Sequence, residues 1–240
     1  MSQRPSRRPG LPTPSARGPQ LVEPESGFSW GRQTWIAIVV MAALIAGVIG
    51  AGWLVQKALE PPVPAALANC KTSTQIGPHQ FIGPQPMCIT DKQILDATIA
   101  TPHGDIVIRL APEVAPVTVN NFVVLAIHGY YNGLSFWKVE DWVVQSGDPR
   151  GDGRGGPGYN LPEETTTTPW GQAAVGMARV PGGPVNGSQF FIEKSVWPGS
   201  GPTVPYNRFG TVTSGMANVA TIVAGDTVTS VTISVSGSNG

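Results

Sequence analysis

Between Arg32 and Lys57 the chain runs for 24 residues without a formal charge, and within that stretch Ile36 to Val55 is almost wholly apolar. About 20 apolar residues in a helix cover the ~30 Å hydrocarbon core of a bilayer. A soluble helix needs a polar face, and this run has none. Trp30, Trp35 and Trp53 stand where interfacial aromatics belong. Residues 35–56 are therefore expected as one transmembrane helix rather than a buried core helix. Arg4, Arg7, Arg8, Arg17 and Arg32 precede the run and only Lys57 follows it closely. The positive-inside rule then puts the N-terminus in the cytoplasm and everything beyond 56 outside, as a single-pass protein of the cell membrane. A cleaved signal peptide is the rival, since Ala66-Leu67-Ala68 has the small residues of a cleavage site. Against it, the apolar run is too long and that site lies over ten residues further on. Arg7-Arg8 is too distant for a twin-arginine signal, and Asn69 precedes Cys70 where lipid attachment wants a small residue.

Residues 1–34, with Pro and Ser scattered among arginines, have too few large apolar groups to offset chain entropy and are expected to be a disordered cytoplasmic tail. Residues 57–90 read as a stalk, whose prolines favour an extended spacer at its start. Cys70 and Cys88 are the only cysteines, and in an extracytoplasmic setting they are expected to pair and pin the stalk end to the domain that follows. Two free thiols are the alternative, because a pair without histidine partners lacks the ligand count of a zinc site.

The remainder, 91–240, is rich in turns: the chain has 30 Gly and 24 Pro but only 12% charged residues. Residues 61–240 carry nine basic and twelve acidic side chains with no Lys/Arg run, which argues against a nucleic-acid surface. Leu95, Ala97, Ile99 and Ile106, Ile108, Leu110 alternate around Pro102-His103-Gly104 as in a β-hairpin. Val119, Phe122, Val123, Leu125 and Ala126 follow helical spacing, with Pro116 before them and Gly129 after. Further strands are predicted at 134–139, 142–146, 173–178, 188–193, 207–213 and 227–235, with a short helix near 215–224. The fold class is mainly β: a closed eight-stranded antiparallel barrel capped by two helices, which removes the edge strands. His79, His103 and His128 are isolated and no metal site is expected. Gly151-x-Gly153-x-x-Gly156 formally matches a dinucleotide fingerprint, but Pro157-Gly158 follow where a helix must begin. No cofactor is implied.

Three segments carry more information than their periodicity. They are VNNFVVLAIHGYYNGLSF (119–136), VVQSGDPRGDGRGGPGYNLPEE (143–164) and GMARVPGGPVNGSQFFIEK (176–194), followed by RFGTVTSGM (208–216). In this order and spacing the chain resembles the cyclophilin family of peptidyl-prolyl cis-trans isomerases, in particular its membrane-anchored bacterial members. The resemblance covers roughly 93–235 and implies an eight-stranded barrel with two capping helices. It also implies an enzyme of protein folding whose partners are proline-containing peptides and unfolded or secreted proteins, held at the bilayer by the N-terminal helix.

Such an enzyme rotates a Xaa-Pro bond across a barrier of ~18–20 kcal/mol with no covalent step. It needs an apolar pocket for the proline ring, donors for the backbone, and a cation that draws on the proline nitrogen lone pair. In the family an arginine of a Phe-His-Arg run is that cation, whereas this chain has Phe136-Trp137-Lys138. The resemblance thus implies Lys138 and Gln145 as catalytic. Phe136 to Gln145 is one step shorter than usual in the family, so Trp137 takes the catalytic place if the count starts from Gln145; the forward count is preferred because a loop shortens more easily than a strand. Trp142, Val143, Ala178, Arg179, Gln189, Phe191 and Tyr206 are implied as substrate-binding. Arg179 stands where the family has Asn, Tyr206 replaces a frequent His, and Trp197 matches the family's rim Trp at altered spacing. An alternative to the enzyme is a proline-peptide binding or scaffold module on the same fold.

Overall fold

The computed structural model describes Trp35 and residues 38–47, 62–180, 182–198 and 205–238. The chain divides into two compact units, Met1–Glu60 and Pro61–Gly240. In the first, Trp35 and residues 38–47 are α-helical (α1) and exposed. Among the described residues no helix is long and apolar enough to cross a membrane. The tail expected over 1–34, residues 36 and 37, and all of the apolar run beyond 47 lie outside the described residues.

The second unit opens with an arm that differs from the expected spacer. After a 3-10 turn at Ala65–Leu67, two short strands, β1 (Gln75–Gly77) and β2 (Gln80–Phe81), pair antiparallel. Leu67, Cys70, Phe81 and Ile89 are buried in the main core, so the arm is held down by its own apolar side chains. A disulfide joins Cys70 to Cys88.

β3 (Gln93–Thr101) and β4 (Gly104–Leu110) form the expected hairpin, with Leu95, Ala97, Ile99, Ile106, Ile108 and Leu110 buried in alternation. α2 (Pro116–Ile127) starts at a proline, whose missing N–H has no helical partner at that position in any case. It is apolar nearly all round and correspondingly buried. Then come β5 (Lys138–Val139), β6 (Val143–Ser146), β7 (Asn160–Leu161), β8 (Ala174–Arg179), β9 (Val185–Glu193), β10 (Arg208–Ser214), α3 (Met216–Thr221) and β11 (Ser230–Ser238). One nine-stranded antiparallel sheet runs β11-β3-β4-β10-β8-β9-β6-β5, with β7 beside β9. Inside it Phe122 of α2 lies 5.0–5.7 Å, ring to ring, from Tyr131, Phe190 and Phe209.

The expected closed eight-stranded barrel is corrected in both count and closure. β5 is only two residues long and does not pair with β11; the two ends of the sheet meet at a single bridge, Ser135 to Thr227. Turn-forming residues explain this. Turns at Asn132-Gly133 and Gly225-Asp226 come immediately before the strands predicted at 134–139 and 227–235, and the first residues of both are spent on loop contacts, so β5 starts only at Lys138 and β11 only at Ser230. The gap is spanned by four loop hydrogen bonds, in which Gly133 N and Phe136 N donate to Val228 O and Asp226 O, and Gly225 N and Val228 N donate to Phe136 O and Leu134 O.

Candidate active site

Alternation along β6, β8 and β9 sends one set of side chains into the core and the other to the opposite face. Val144, Phe190 and Ile192 go inward; Val143, Ala178 and Phe191 form a second, smaller cluster packed against Trp142, Trp170, Trp197 and Tyr206. Gly176 makes this possible. It pairs with Phe191 across β8–β9, and a Cβ there would come within 2.6 Å of Trp170 and 2.7 Å of Phe191. The bare glycine lets Trp170 stack on Phe191 at 5.6 Å and 22°. Trp197 closes the cluster, 4.5 Å from Trp142 and 5.6 Å from Tyr206. The segment bearing Trp170 is fixed by Gly171 N, which donates to Glu193 Oε2 at 2.6 Å; burial raises the pKa of that carboxyl, opposed by this hydrogen bond and by the charge of Arg208.

The cluster is the wall of a groove of about 590 Å³. All nine sequence-predicted site residues line it: Lys138, Trp142, Val143, Gln145, Ala178, Arg179, Gln189, Phe191 and Tyr206. Trp197 does so as well.

Lys138 stands directly opposite Gln145 in the β5–β6 pair, so their side chains share a face. The connection is tight: Glu140 N and Val143 N exchange hydrogen bonds with Val143 O and Glu140 O, leaving only Asp141 and Trp142 between. The strand pairing places Lys138, rather than Trp137, across from Gln145. Lys138 Nζ lies 3.2 Å from Glu140 Oε1 and 5.8 Å from the centre of the Trp142 ring, with 35% of its side chain exposed. Gln145 Nε2 donates to Gln189 Oε1 at 2.8 Å, and Gln189 Nε2 donates in turn to Gly153 O at 3.1 Å and Gly155 O at 2.7 Å.

Arg179 is committed elsewhere. Its Nη1 donates to Glu163 Oε1 at 2.6 Å and Pro205 O at 3.0 Å, its Nη2 donates to Gly183 O, and only 7% of the side chain is exposed. It ties three loops together while presenting one edge to the groove. Its charge also acts on Tyr206, whose hydroxyl pKa is raised by burial and lowered less strongly by Arg179.

Sequence reasoning missed Arg154 and Asn186, which also line the groove, and Trp170 behind it; Trp137, named above as the alternative to Lys138, lines the groove as well. Asn186 had a signal in the Asn-Gly-Ser-Gln run: its Oδ1 accepts from Ser188 N and Gln189 N, both at 2.9 Å, and its Nδ2 donates to Gly155 O at 3.0 Å. Arg154 sits in the glycine-rich part of the 143–164 segment, where no individual residue stands out as a site residue. Trp170 had no local signal. Among the described residues no three His, Cys, Asp or Glu side chains gather as metal ligands.

An apolar hollow, a cation and side-chain donors along one rim can grip a ring and polarise an adjacent amide. Residues 95–236 match the family described as cyclophilin type peptidyl-prolyl cis-trans isomerase/CLD. The chain is 39% identical over 127 residues to peptidyl-prolyl cis-trans isomerase B of Bacillus subtilis, covering 52% of this chain and 87% of that one. It is 42% identical over 99 residues to the peptidyl-prolyl cis-trans isomerase of Helicobacter pylori, covering 40% and 60%. Among solved structures, a cyclophilin type isomerase of Cryptosporidium parvum, crystallised in the presence of the dipeptide Ala-Pro, aligns with a TM-score of 0.52 and 27% identity over 58% of this chain and 98% of that one.

Proposed function

The chain belongs to the cyclophilin type peptidyl-prolyl cis-trans isomerase family and is an isomerase of Xaa-Pro bonds; from that premise we propose that Lys138 supplies the catalytic charge and that the clients are proteins outside the cytoplasm. The observation that carries the first part is the pairing of Lys138 with Gln145 on one rim of the groove whose apolar wall is Phe191, Val143 and Trp142. In a planar Xaa-Pro amide the nitrogen lone pair is delocalised into the carbonyl. As the bond twists, the lone pair localises on nitrogen and accepts a hydrogen bond that the planar forms accept only weakly. An ammonium placed there stabilises the twisted state over both planar states, and each ~1.4 kcal/mol of that difference is tenfold in rate. The proline ring rests against Phe191 and Val143, while Gln145, fixed by Gln189, holds the peptide backbone.

Lys138 has one ammonium where an arginine offers a planar fork of donors, so it makes a single contact rather than two. Its ion pair with Glu140 competes for that contact. These two features favour a slow isomerase, and at their limit a proline-peptide binding module. The extracytoplasmic setting rests on the uncharged run after Arg32, the arginines before it, and the Cys70–Cys88 disulfide, since such bonds persist in oxidising compartments.

Magnetisation-exchange NMR on the full chain in detergent, with an Ala-Pro peptide, reads binding and turnover in one sample. Accelerated cis/trans exchange is expected, lowered at least tenfold by Lys138→Ala with the peptide still bound. Arg179→Ala should lower it less. The reverse ranking assigns the charge to Arg179, and binding without acceleration leaves the binding module. For the topology, protease added to intact cells should remove residues 62–240; full protection would place the domain inside.

A further inference from the structure

The loop 151–158 borders the groove yet has five glycines, at 151, 153, 155, 156 and 158, and so few side chains with which to pack. Hydrogen bonds to its carbonyls hold it instead. From the groove side, Gln189 Nε2 binds Gly153 O and Gly155 O, and Asn186 Nδ2 binds Gly155 O. From the outer side the donors come from the amino-terminal arm: Gln80 Nε2 binds Gly156 O at 2.7 Å, and Phe81 N binds Pro157 O at 2.9 Å. The backbones touch here, for at Gly158, with φ +95°, a Cβ would lie 2.9 Å from Phe81 O. Gln85 adds a third tie through Tyr159, donating to its hydroxyl at 2.8 Å, which donates to Asn121 Oδ1 at 2.6 Å.

These arm residues all lie inside the loop closed by Cys70 and Cys88, and both of its ends are docked. His128 Nε2 donates to Cys70 O at 2.9 Å, and Cys88 N donates to Asn120 Oδ1 at 2.8 Å. The whole arm precedes residue 95, where the match to the family begins, so the donors at Gln80 and Phe81 lie outside the matched residues. The contacts run without a break from the disulfide loop through Gln80, Gly156 and Gly155 to Gln189, Gln145 and the strand position facing Lys138.

We propose that the disulfide-closed arm positions the glycine-rich loop of the groove, with Gln80 as a positioning residue, so that affinity for proline peptides depends on the Cys70–Cys88 bond. This rests on the reading of the groove as the isomerase site. A dithiol delivers two electrons and two protons, the S–S bond becomes two thiols, and the dithiol closes to its own disulfide. The arm, no longer a closed loop, is then held only by its buried side chains and hydrogen bonds and opens more often into conformations in which Gln80 and Phe81 do not meet Gly156 and Pro157.

The test uses the full chain in detergent with an Ala-Pro peptide, with and without dithiothreitol. Reduction should weaken peptide binding about threefold to tenfold, in keeping with the loss of one or two hydrogen bonds. It should raise KM while kcat changes less than twofold, and shift the amide NMR signals of Gly153, Gly155 and Gly156. A Cys70→Ser/Cys88→Ser double variant should reproduce this and ignore the reductant. Gln80→Met, which keeps the disulfide and the volume but lacks the donor, should give part of the same shift and affinity loss even if the reduced protein proves unstable. Unmoved loop amides and unchanged affinity in Gln80→Met overturn the proposal. So does a fall in kcat at constant KM. Absence of exchange in the oxidised wild type would count against the isomerase alone, because affinity and amide shifts are read without turnover.

Discussion

The aromatic wall and the glycine-rich loop border the same groove, yet they are held by different forces. The wall is seven apolar or aromatic side chains packed together, with Phe191 at the centre: Trp170, Trp197 and Tyr206 lie 5.6, 6.3 and 5.4 Å from its ring. Dispersion and the hydrophobic effect fix it, both non-directional and summed over many atoms. Asp148, 1% exposed, does most of the local work for the loop by accepting from Arg150 N, Asp152 N and Gly153 N at 2.8, 3.1 and 2.6 Å. Directional bonds hold a backbone to a geometry without filling space. A site built this way can change peptide fit through the loop while the wall stays intact, and damage to the wall reaches the whole fold.

Phe191→Ala is the strongest test of that contrast. It removes the ring on which three others rest and leaves a cavity beside β8, so stability should fall by ~3–5 kcal/mol in urea unfolding. Peptide affinity should fall at least tenfold. A loss of affinity with unaltered stability would mean that the wall is positioned by something other than its own packing. Asp148→Asn comes next. The amide keeps the shape but turns an NH₂ toward amide donors, which should lower stability by ~1–2 kcal/mol and affinity a few-fold, the latter accompanied by shifts at Gly153. If Asp148→Asn proves as destabilising as Phe191→Ala, the loop belongs to the core and the contrast fails.

What the sequence made legible follows the same division. The β3–β4 hairpin, α2 and the lining residues of β6, β8 and β9 are encoded by alternation, turn residues and the Asn186–Ile192 run, all of which act over a few positions. The pairing of Lys138 with Gln145 follows from strand register and a two-residue turn. The missed features depend on distant partners. Trp170 lies in a threonine-rich stretch with no period, and its place is set by a bare glycine at 176 and a carboxylate at 193. The arm reads as loop because Gln75–Phe81 has Gly77, Pro78 and a left-handed His79, and only the glycine loop of another segment gives it a surface to cover. Arg179 could be matched to a position in the sequence, but its three anchors come from residues 163, 183 and 205. Sheet closure likewise turned on which turn residues met across the gap at Ser135 and Thr227.

The smallest effect is expected at Tyr206, where ring and hydroxyl can be separated. The ring touches Trp170, Phe191 and Trp197, whereas the wall needs no donor from the hydroxyl. Tyr206→Phe should therefore change peptide affinity and turnover less than twofold at neutral pH. Burial raises the hydroxyl pKa above the ordinary ~10, against the pull of Arg179. The folded state thus holds this proton to higher pH than the unfolded chain does. Its contribution to stability is complete below about pH 10 and is lost as pH rises through the folded value. Buried Tyr130, Tyr131 and Tyr159 share that sign, so wild type and Tyr206→Phe should both weaken in alkali, the variant slightly less. Urea titrations of both proteins at pH 8 and pH 10.5 measure the difference. A variant that loses peptide affinity at pH 8 would show that the hydroxyl is a substrate contact, and the wall would then join the loop as a surface that reads its ligand through directional bonds.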